Sequence, residues 1–515
     1  MTHVITGSCC NDASCVAACP VNCIHPTPDE PAFATAEMLY IDPDACIDCG
    51  ACVDVCPVEA VAPDFELEPE DEPFLALNGA WFAAPGRSDY PSTPPRQPGL
   101  TVERAAPLRV AVIGTGPSAG YVVESLCGVR DLAVDVTVID RLLTPGGLAR
   151  FGVAPDHPHT KSSGDAVIKA LRRQGVTARL GVEVGVDVSI EELRATHHAV
   201  VLATGASEGR TLGLPGADLP GSVTAADLVG WYNGHPDHAD LAPDLGVERA
   251  VVIGNGNVAL DVARVLLTDP AELRRTDIAE HALAALDVSN VREVVVVGRR
   301  GPEHAAFTAS ELIGLASVRG LSLAARVEDL APEVGEGDPV LAYKLDVLRS
   351  FGNSSGERRL ELRFGLRPTE ILGEDVVRGV RFESGEVIET ELVVAAIGYR
   401  SRPMPGLPFD EARGVIPSRG GRVSGANGVY VSGWVKRGPS GGIGANRWCA
   451  RETVEALLAD FDAGMLTAPA GDERITGADL IAWERIDRHE RALGRAAGRP
   501  RIKVVEVAEQ RGLLG

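Results

Sequence analysis

The sequence predicts a multidomain chain: a small α+β module built on cysteines, then two α/β dinucleotide-binding domains of the Rossmann type. Three observations carry this. Nine of the eleven cysteines lie before residue 57. Two strand–glycine-turn–helix units, VAVIGTGPSAG and VVIGNGNVALDVARVLL, follow later in the chain. The chain has 515 residues, 45% of them hydrophobic, which is too much for one core.

Charge sharpens the division. Residues 1–72 contain fifteen Asp or Glu and no Lys or Arg, supplying most of the net charge of -23. Such a face suits a basic protein surface and opposes nucleic acid. No apolar run reaches the length of a membrane helix, and the N-terminus lacks a signal-peptide pattern. A cytoplasmic protein without nucleic-acid or membrane partners is expected, its cysteines acting as ligands or free thiols.

In the N-terminal module, Cys46-x2-Cys49-x2-Cys52-x3-Cys56-Pro57 has the spacing of an iron–sulfur run whose fourth cysteine serves the other cluster. The earlier stretch CCNDASCVAACP has the same frame, with Cys9, Cys15 and Cys19 in register and Asp12 where a thiolate is expected. Cross-ligation assigns Cys19, Cys46, Cys49 and Cys52 to cluster B, a 4Fe-4S cluster. Cluster A receives Cys9, Cys15 and Cys56. Zinc needs only four ligands and has no use for two interleaved runs. Cys10 could replace Cys9, although the register favours Cys9. Cys23 is expected beside a cluster, and Cys127 and Cys449 as buried thiols in helices.

The module resembles bacterial two-cluster ferredoxins over ITGSCCNDASCVAACPVNCIH and YIDPDACIDCGACVDVCPVEAV, most closely the seven-iron kind. The resemblance implies that cluster A is 3Fe-4S, or 4Fe-4S with Asp12 as fourth ligand. The alternative is that Asp12 caps the local turn.

After the module, DFELEPEDEP and PGRSDYPSTPPRQPG read as an acidic, Pro-rich linker over 63–107. In the first dinucleotide unit, Gly114-x-Gly116-x-x-Ala119 follows a strand and opens a helix. The next strand ends in Asp140, an acid suited to ribose hydroxyls and unsuited to a 2′-phosphate. FAD or NAD fits there. The second unit, Gly254-Asn255-Gly256-Asn257-Val258, is followed by a strand ending in Arg299 and Arg300. Paired guanidiniums suit the 2′-phosphate of NADP(H).

Residues 108 to about 460 resemble the adrenodoxin reductase type of ferredoxin–NADP reductase, a glutathione-reductase-type fold. TPGGLARFGVAPDHP, VIGNGNVALDVARVLL, VVGRRGPEHAAFTASEL and VSGWVKRGPSGGIG carry the likeness. With the module added, the match is to the fused ferredoxin/ferredoxin–NADP reductases of actinobacteria. The resemblance implies domains at 1–62 (ferredoxin), 108–212 with 397–464 (FAD) and 213–396 (NADP), with a C-terminal extension at 465–515. It implies FAD contacts at Gly116, Ala119, Asp140, Gly147, Leu148, Val184, Trp434, Gly441, Gly442 and Ile443. Asn257 and Val258 would hold the NADP pyrophosphate, Glu311 would act near the nucleotide, and His157 would handle a proton. Electrons would pass between NADPH, FAD and the clusters, and on to an external one-electron acceptor or donor, ferredoxin- or cytochrome-like. The departures are Asp140 where Glu is common, Gly147 and Gly442 in place of larger residues, and Gly314 in place of an acid. Docking of the acidic module near the flavin edge, on basic surface including Lys436 and Arg437, predicts a rate that falls with salt. Two other readings use the same motifs: an electron-supplying subunit like the small subunit of glutamate synthase, and a redox sensor with a labile cluster.

Overall fold

The computed structural model describes residues 1–94, 98–104, 106–326, 338–352, 356–471 and 474–514. The N-terminal module is two short antiparallel pairs, His3–Ile5 with Val61–Pro63 and Ile24–His25 with Tyr40–Ile41, and two short helices, Ser14–Ala18 and Ala51–Asp54. Strands this short cannot bury much by themselves, so the core is completed from outside.

Part of that completion comes from the segment read as a linker. Residues 72–83 form a helix, Glu72–Ala83, whose Phe74, Leu77, Trp81 and Phe82 are buried in the module core. Asn78 ties the two strand pairs together. Its Oδ1 accepts the Ile5 and Ile41 N–H groups at 3.3 and 2.8 Å, and its Nδ2 donates to the Ile5 carbonyl at 2.8 Å. The sequence EPFLALNGAWFA is apolar on nearly every face, so no 3.6-residue period betrays it. Residues 95–97, within the Pro-rich stretch, lie outside the described residues.

Two sheets, one mixed and one parallel, carry the dinucleotide units. The seven-stranded sheet runs Ser418–Arg419, Arg422–Val423, Val429–Val431, Ala199–Leu202, Leu108–Ile113, Val134–Asp140, Val176–Leu180. Its five strands from Val429–Val431 to Val176–Leu180 are parallel, and its first three come from late in the chain. The six-stranded sheet, wholly parallel, runs Ser222–Thr224, Leu392–Ala395, Arg249–Ile253, Glu293–Val297, Arg358–Arg363, Leu321–Ala325. Near-continuous Val and Ile runs such as EVVVV suit strands covered on both faces.

The C-terminal extension has a role the sequence did not reveal. After the helix Leu480–Ala496, residues 499–503 cross between the sheets' domains. Glu490, fully buried, pairs with Arg150 at 2.6 Å and with Arg501 at 2.9 Å. Lys503 pairs with Asp277 at 2.9 Å, and Lys161 reaches the same carboxylate at 3.3 Å. Burial opposes the Asp277 charge, yet the two lysines hold its carboxyl well below the usual range. Among the described residues, no helix is long and apolar enough to cross a membrane.

Candidate functional site: one crevice from two glycine loops to the thiols

The two glycine loops are built alike. Gly114 and Gly254 have φ of 107° and 121°, and their N–H groups donate to the ends of the neighbouring strands, at Ile139 and Val297. A Cβ on Gly114 would meet the Ala203 carbonyl at 2.6 Å, and one on Gly254 the Ala396 carbonyl at 2.1 Å. Only glycine allows that conformation and approach together. Each loop then opens a helix, Pro117–Cys127 or Asn257–Leu267, whose first turn has no side-chain cap, and an uncapped helix start of this kind suits a pyrophosphate.

Both loops open on one cavity of about 1890 Å³. Gly114, Gly116, Asp140, Gly147, Leu148, Val184, Trp434, Gly441, Gly442 and Ile443 line one part. Gly254 to Val258, Arg299, Arg300, His157 and Glu311 line the other. Ala119 is fully buried beneath the first loop and does not line the cavity. Gly314 has open space around it. Gly147 lies against Gly116, where a Cβ would meet the Gly116 Cα at 2.8 Å, so the small residue belongs to this loop's packing.

Asp140 is already engaged. Its Oδ2 accepts the Thr115 N–H at 2.8 Å and hydroxyl at 2.5 Å, and its Oδ1 accepts the Leu142 N–H at 2.9 Å. Burial pushes its carboxyl up, and the Thr115 bonds oppose that shift. Thr115 thus orients the acid, a role invisible in the glycine pattern. At the far end Arg299 and Arg300 are exposed, and neither guanidinium has an ion-pair partner among the described residues. The pair is free for a phosphate.

A charged cluster sits between the two parts. Arg264, 4% exposed, holds Asp156 at 2.6 Å, Asp261 at 2.5 Å and Glu311 at 3.0 Å. His157 Nε2 lies 3.3 Å from Asp261 and 3.9 Å from Glu311, and within hydrogen-bond reach of Arg264 Nη2. Burial opposes the imidazolium, but the bond to Asp261 and the neighbouring carboxylates raise the His157 pKa above its ordinary value. Burial raises the Glu311 carboxyl, with Asp261 adding and Arg264 opposing. Neutral His157 accepts from Arg264, whereas protonated His157 donates to Asp261. The two arrangements differ by one proton at Nε2. Asp156, Asp261 and Arg264 escaped the sequence reading. A lone Arg in the apolar helix run NVALDVARVLL was the available signal.

The thiols of the module fall into two groups. Cys19, Cys46, Cys49 and Cys52 line one small cavity with His3 and Cys23, a donor set that fits an iron–sulfur cluster. The Cys19 thiol is pulled down to about 6, first by the Cys23 thiol 3.4 Å away. Cys9, Cys15 and Cys56 crowd together elsewhere. Burial pushes the Cys9 thiol up to about 11 and that of Cys15 well up, and neighbouring cysteines and Asp12 add to both shifts. Ligation by iron would replace those protons. Cys449 accepts the Gly433 N–H at 3.1 Å, so it supports the loop before Trp434.

Asp12 is buried, and its carboxylate is taken. Its Oδ1 accepts the Ser14 N–H at 3.1 Å, and its Oδ2 accepts from the Ser14 hydroxyl and, at 3.1 Å, from Arg447 Nη1. Arg447 is on the helix Ala445–Asp462, which follows the Gly441–Ile443 loop. The Gly444 N–H donates to the Cys10 carbonyl at 2.8 Å, and a Cβ on Gly444 would meet Asp12 N at 2.1 Å. Cys9, Cys10 and Asn11 therefore line the nucleotide cavity itself. The expected docking on Lys436 and Arg437 does not occur. Lys436 pairs with Glu452 at 2.6 Å, and Arg437 donates to Asn446 at 3.0 Å. Arg447 and Lys344 hold the module instead, with an apolar seam of Ala309, Ile313, Val340 and Trp448.

Two dinucleotide loops sharing a crevice that ends on cluster-type thiols define an oxidoreductase of the two-nucleotide flavoprotein class with its own iron–sulfur module. The family descriptions agree: residues 39–62 match a 4Fe-4S binding domain and residues 108–300 a pyridine nucleotide-disulphide oxidoreductase. The chain is 47% identical over 549 residues to a probable ferredoxin/ferredoxin–NADP reductase of Mycobacterium tuberculosis, covering 99% of this chain and 94% of that one. It is 37% identical over 489 residues to the mitochondrial NADPH:adrenodoxin oxidoreductase of Rattus norvegicus, covering 85% and 98%. The solved structure of Mycobacterium tuberculosis FprA in complex with NADPH superposes with a TM-score of 0.74 at 40% identity, covering 80% of this chain and all of that one. The chain belongs to the ferredoxin/ferredoxin–NADP reductase family.

Proposed function

We propose that this protein moves electrons from NADPH through FAD to cluster A, then cluster B, then an external one-electron acceptor. The single observation behind this reading is the shared crevice, which joins both glycine loops and is lined at one end by Cys9 and Cys10. Bound FAD would supply the conversion of one hydride's electron pair into two single electrons. The chain's own residues do the rest. Arg299 and Arg300 would hold the 2′-phosphate, and the Asn257 and Val258 amides would take the pyrophosphate. The Thr115-oriented Asp140 would meet the flavin's ribose, and the helix starting at Ala445 presents its positive end beside Gly441–Ile443. His157 Nε2 holds a proton between Asp261 and Arg264.

Cluster B would be 4Fe-4S on Cys19, Cys46, Cys49 and Cys52, and cluster A 3Fe-4S on Cys9, Cys15 and Cys56. The Ser14 and Arg447 bonds to Asp12 favour three irons at A, because a carboxylate held by three donors is a poor fourth ligand. Exposed Cys49 and Ile47, on an acidic face, suit a basic ferredoxin- or cytochrome-like partner in the cytoplasm.

Anaerobic NADPH titration followed by optical and EPR spectra tests the route, and flavin bleaching without cluster reduction would refute it. Arg299→Ala with Arg300→Ala should weaken NADPH by about 100-fold or more, since at least two charged hydrogen bonds of about 1.5–3 kcal/mol each are lost. An unchanged preference for NADPH over NADH would sink the nucleotide assignment.

A further inference from the structure

The crevice wall near Glu311 is not made by the nucleotide domains alone. Phe33, Thr35, Ala36 and Glu37 of the iron–sulfur module line it beside Thr308, Ser310 and Glu311. Glu37 does more than fill space. Its Oε2 accepts the Ala309 N–H at 2.7 Å, and its Oε1 accepts Lys344 Nζ at 2.7 Å. Lys344 is 6% exposed and also donates to the Phe307 carbonyl at 2.5 Å. Ala309 is the first residue of the helix Ala309–Ala316, and Glu311 is the third. A carboxylate there satisfies an orphan amide and opposes the helix's positive end.

The same helix start is tied to the second glycine unit. The Thr308 N–H donates to Asn257 Oδ1 at 2.9 Å, and Thr308 Oγ1 accepts the Glu311 N–H at 3.3 Å. Glu37 thus closes a chain of bonds running from the module through Ala309 and Thr308 to Asn257. Arg264, from the same nucleotide-binding helix as Asn257, grips Glu311 at 3.0 Å. On its other side the module is held to the first unit by Arg447 and Gly444. One module therefore bridges both nucleotide domains.

We infer that Glu37 is a positioning residue for hydride transfer: the iron–sulfur module completes the nicotinamide end of the NADPH site by fixing the start of the Glu311 helix. This rests on the reading that NADPH occupies the second unit. Nicotinamide must lie between that unit and the flavin, so this wall sets its approach, whereas Arg299 and Arg300 hold the opposite end. A misplaced wall should slow transfer with little effect on binding.

The test uses the full chain loaded with FAD and clusters, in Glu37→Ala and Glu37→Gln forms. Flavin reduction by NADPH, followed anaerobically by stopped flow, should slow about tenfold in E37A, with the NADP+ dissociation constant changed less than about twofold. E37Q keeps an acceptor for the Ala309 amide and should recover most of the rate. Hydrogen exchange at the Ala309–Glu311 amides, measured without nucleotide, should quicken in E37A and less in E37Q. If E37A does not fold around the stranded Lys344 ammonium, E37A with Lys344→Met takes its place with the same expectations. Wild-type reduction and exchange in the Ala form would overturn the proposal. So would equal slowing in both forms with loss of the cluster bands, which marks a merely displaced module. Failure of the NADP assignment reads out separately, as unchanged NADP+ binding in the Arg299→Ala, Arg300→Ala protein.

Discussion

The two thiol sites draw on runs of one spacing frame and occupy opposite situations. Site A, on Cys9, Cys15 and Cys56, is pressed against the flavoprotein, with Cys9 and Cys10 on the nucleotide cavity and Asp12 clasped by Arg447. Site B, on Cys19, Cys46, Cys49 and Cys52, faces away, with Cys49 exposed and Ile47 58% exposed. The difference teaches that the spacing of a cysteine run is local, whereas packing decides whether its thiols meet the nucleotide cavity or solvent.

The strongest way to break this comparison is to remove one site at a time. Cys15→Ser should abolish NADPH-driven reduction of both clusters while NADPH still bleaches the flavin. Cys49→Ser should leave cluster A reducible and abolish turnover of an external acceptor such as cytochrome c. Rapid scanning with EPR sampling decides, and undiminished reduction of B in the Cys15→Ser protein would reverse the order. Next in size is Gly444→Val. Its Cβ would meet Asp12 backbone atoms at 2.1 and 2.4 Å, and overpacking of this kind costs about 1–3 kcal/mol. Electron arrival at A should slow more than flavin reduction, which slows only as far as the loosened module displaces Glu37, and limited proteolysis should cut the module faster.

Arg447→Met sharpens the contrast more gently. It removes one donor from Asp12 while leaving Ser14, so iron reconstitution should convert cluster A to the four-iron form more readily than in the wild type. EPR of the two reconstituted proteins reports this, and equal conversion would show that Arg447 does not restrain the carboxylate. The smallest effect is that of salt. The sequence expectation was a rate that falls with ionic strength. The module is instead covalently joined and seated on Ala309, Ile313, Val340 and Trp448, a seam that salt does not screen. Internal transfer from NADPH to cluster A should change less than about twofold with added salt, whereas delivery from B to a basic acceptor should fall.

Legibility in the sequence followed distance along the chain. The glycine loops, the acid after the first unit and the arginines after the second all lie within about fifty residues of their own loop, and all line the cavity. Thr115 beside Asp140 escaped notice because a hydroxyl after glycine has many uses. The helix Glu72–Ala83 was hidden by its uniformly apolar faces and acidic, Pro-rich flanks. The crossing residues 499–503 carry charges that read as surface until Glu490 and Asp277 bury them.

By itself, then, the sequence placed the residues on which the proposed chemistry rests: cysteines in cluster spacing, glycines after the first strand of each dinucleotide unit, and a pair of arginines after the second unit. Each is a property of contiguous residues, fixed by local geometry. The tertiary structure alone decided that Arg447 takes Asp12 across 435 positions, that Glu37 caps a helix 272 positions away, and that site A meets the flavin cavity. Those contacts exist because carboxylates that packing withdraws from water need charged or hydrogen-bonding partners, and no local spacing encodes where those partners lie.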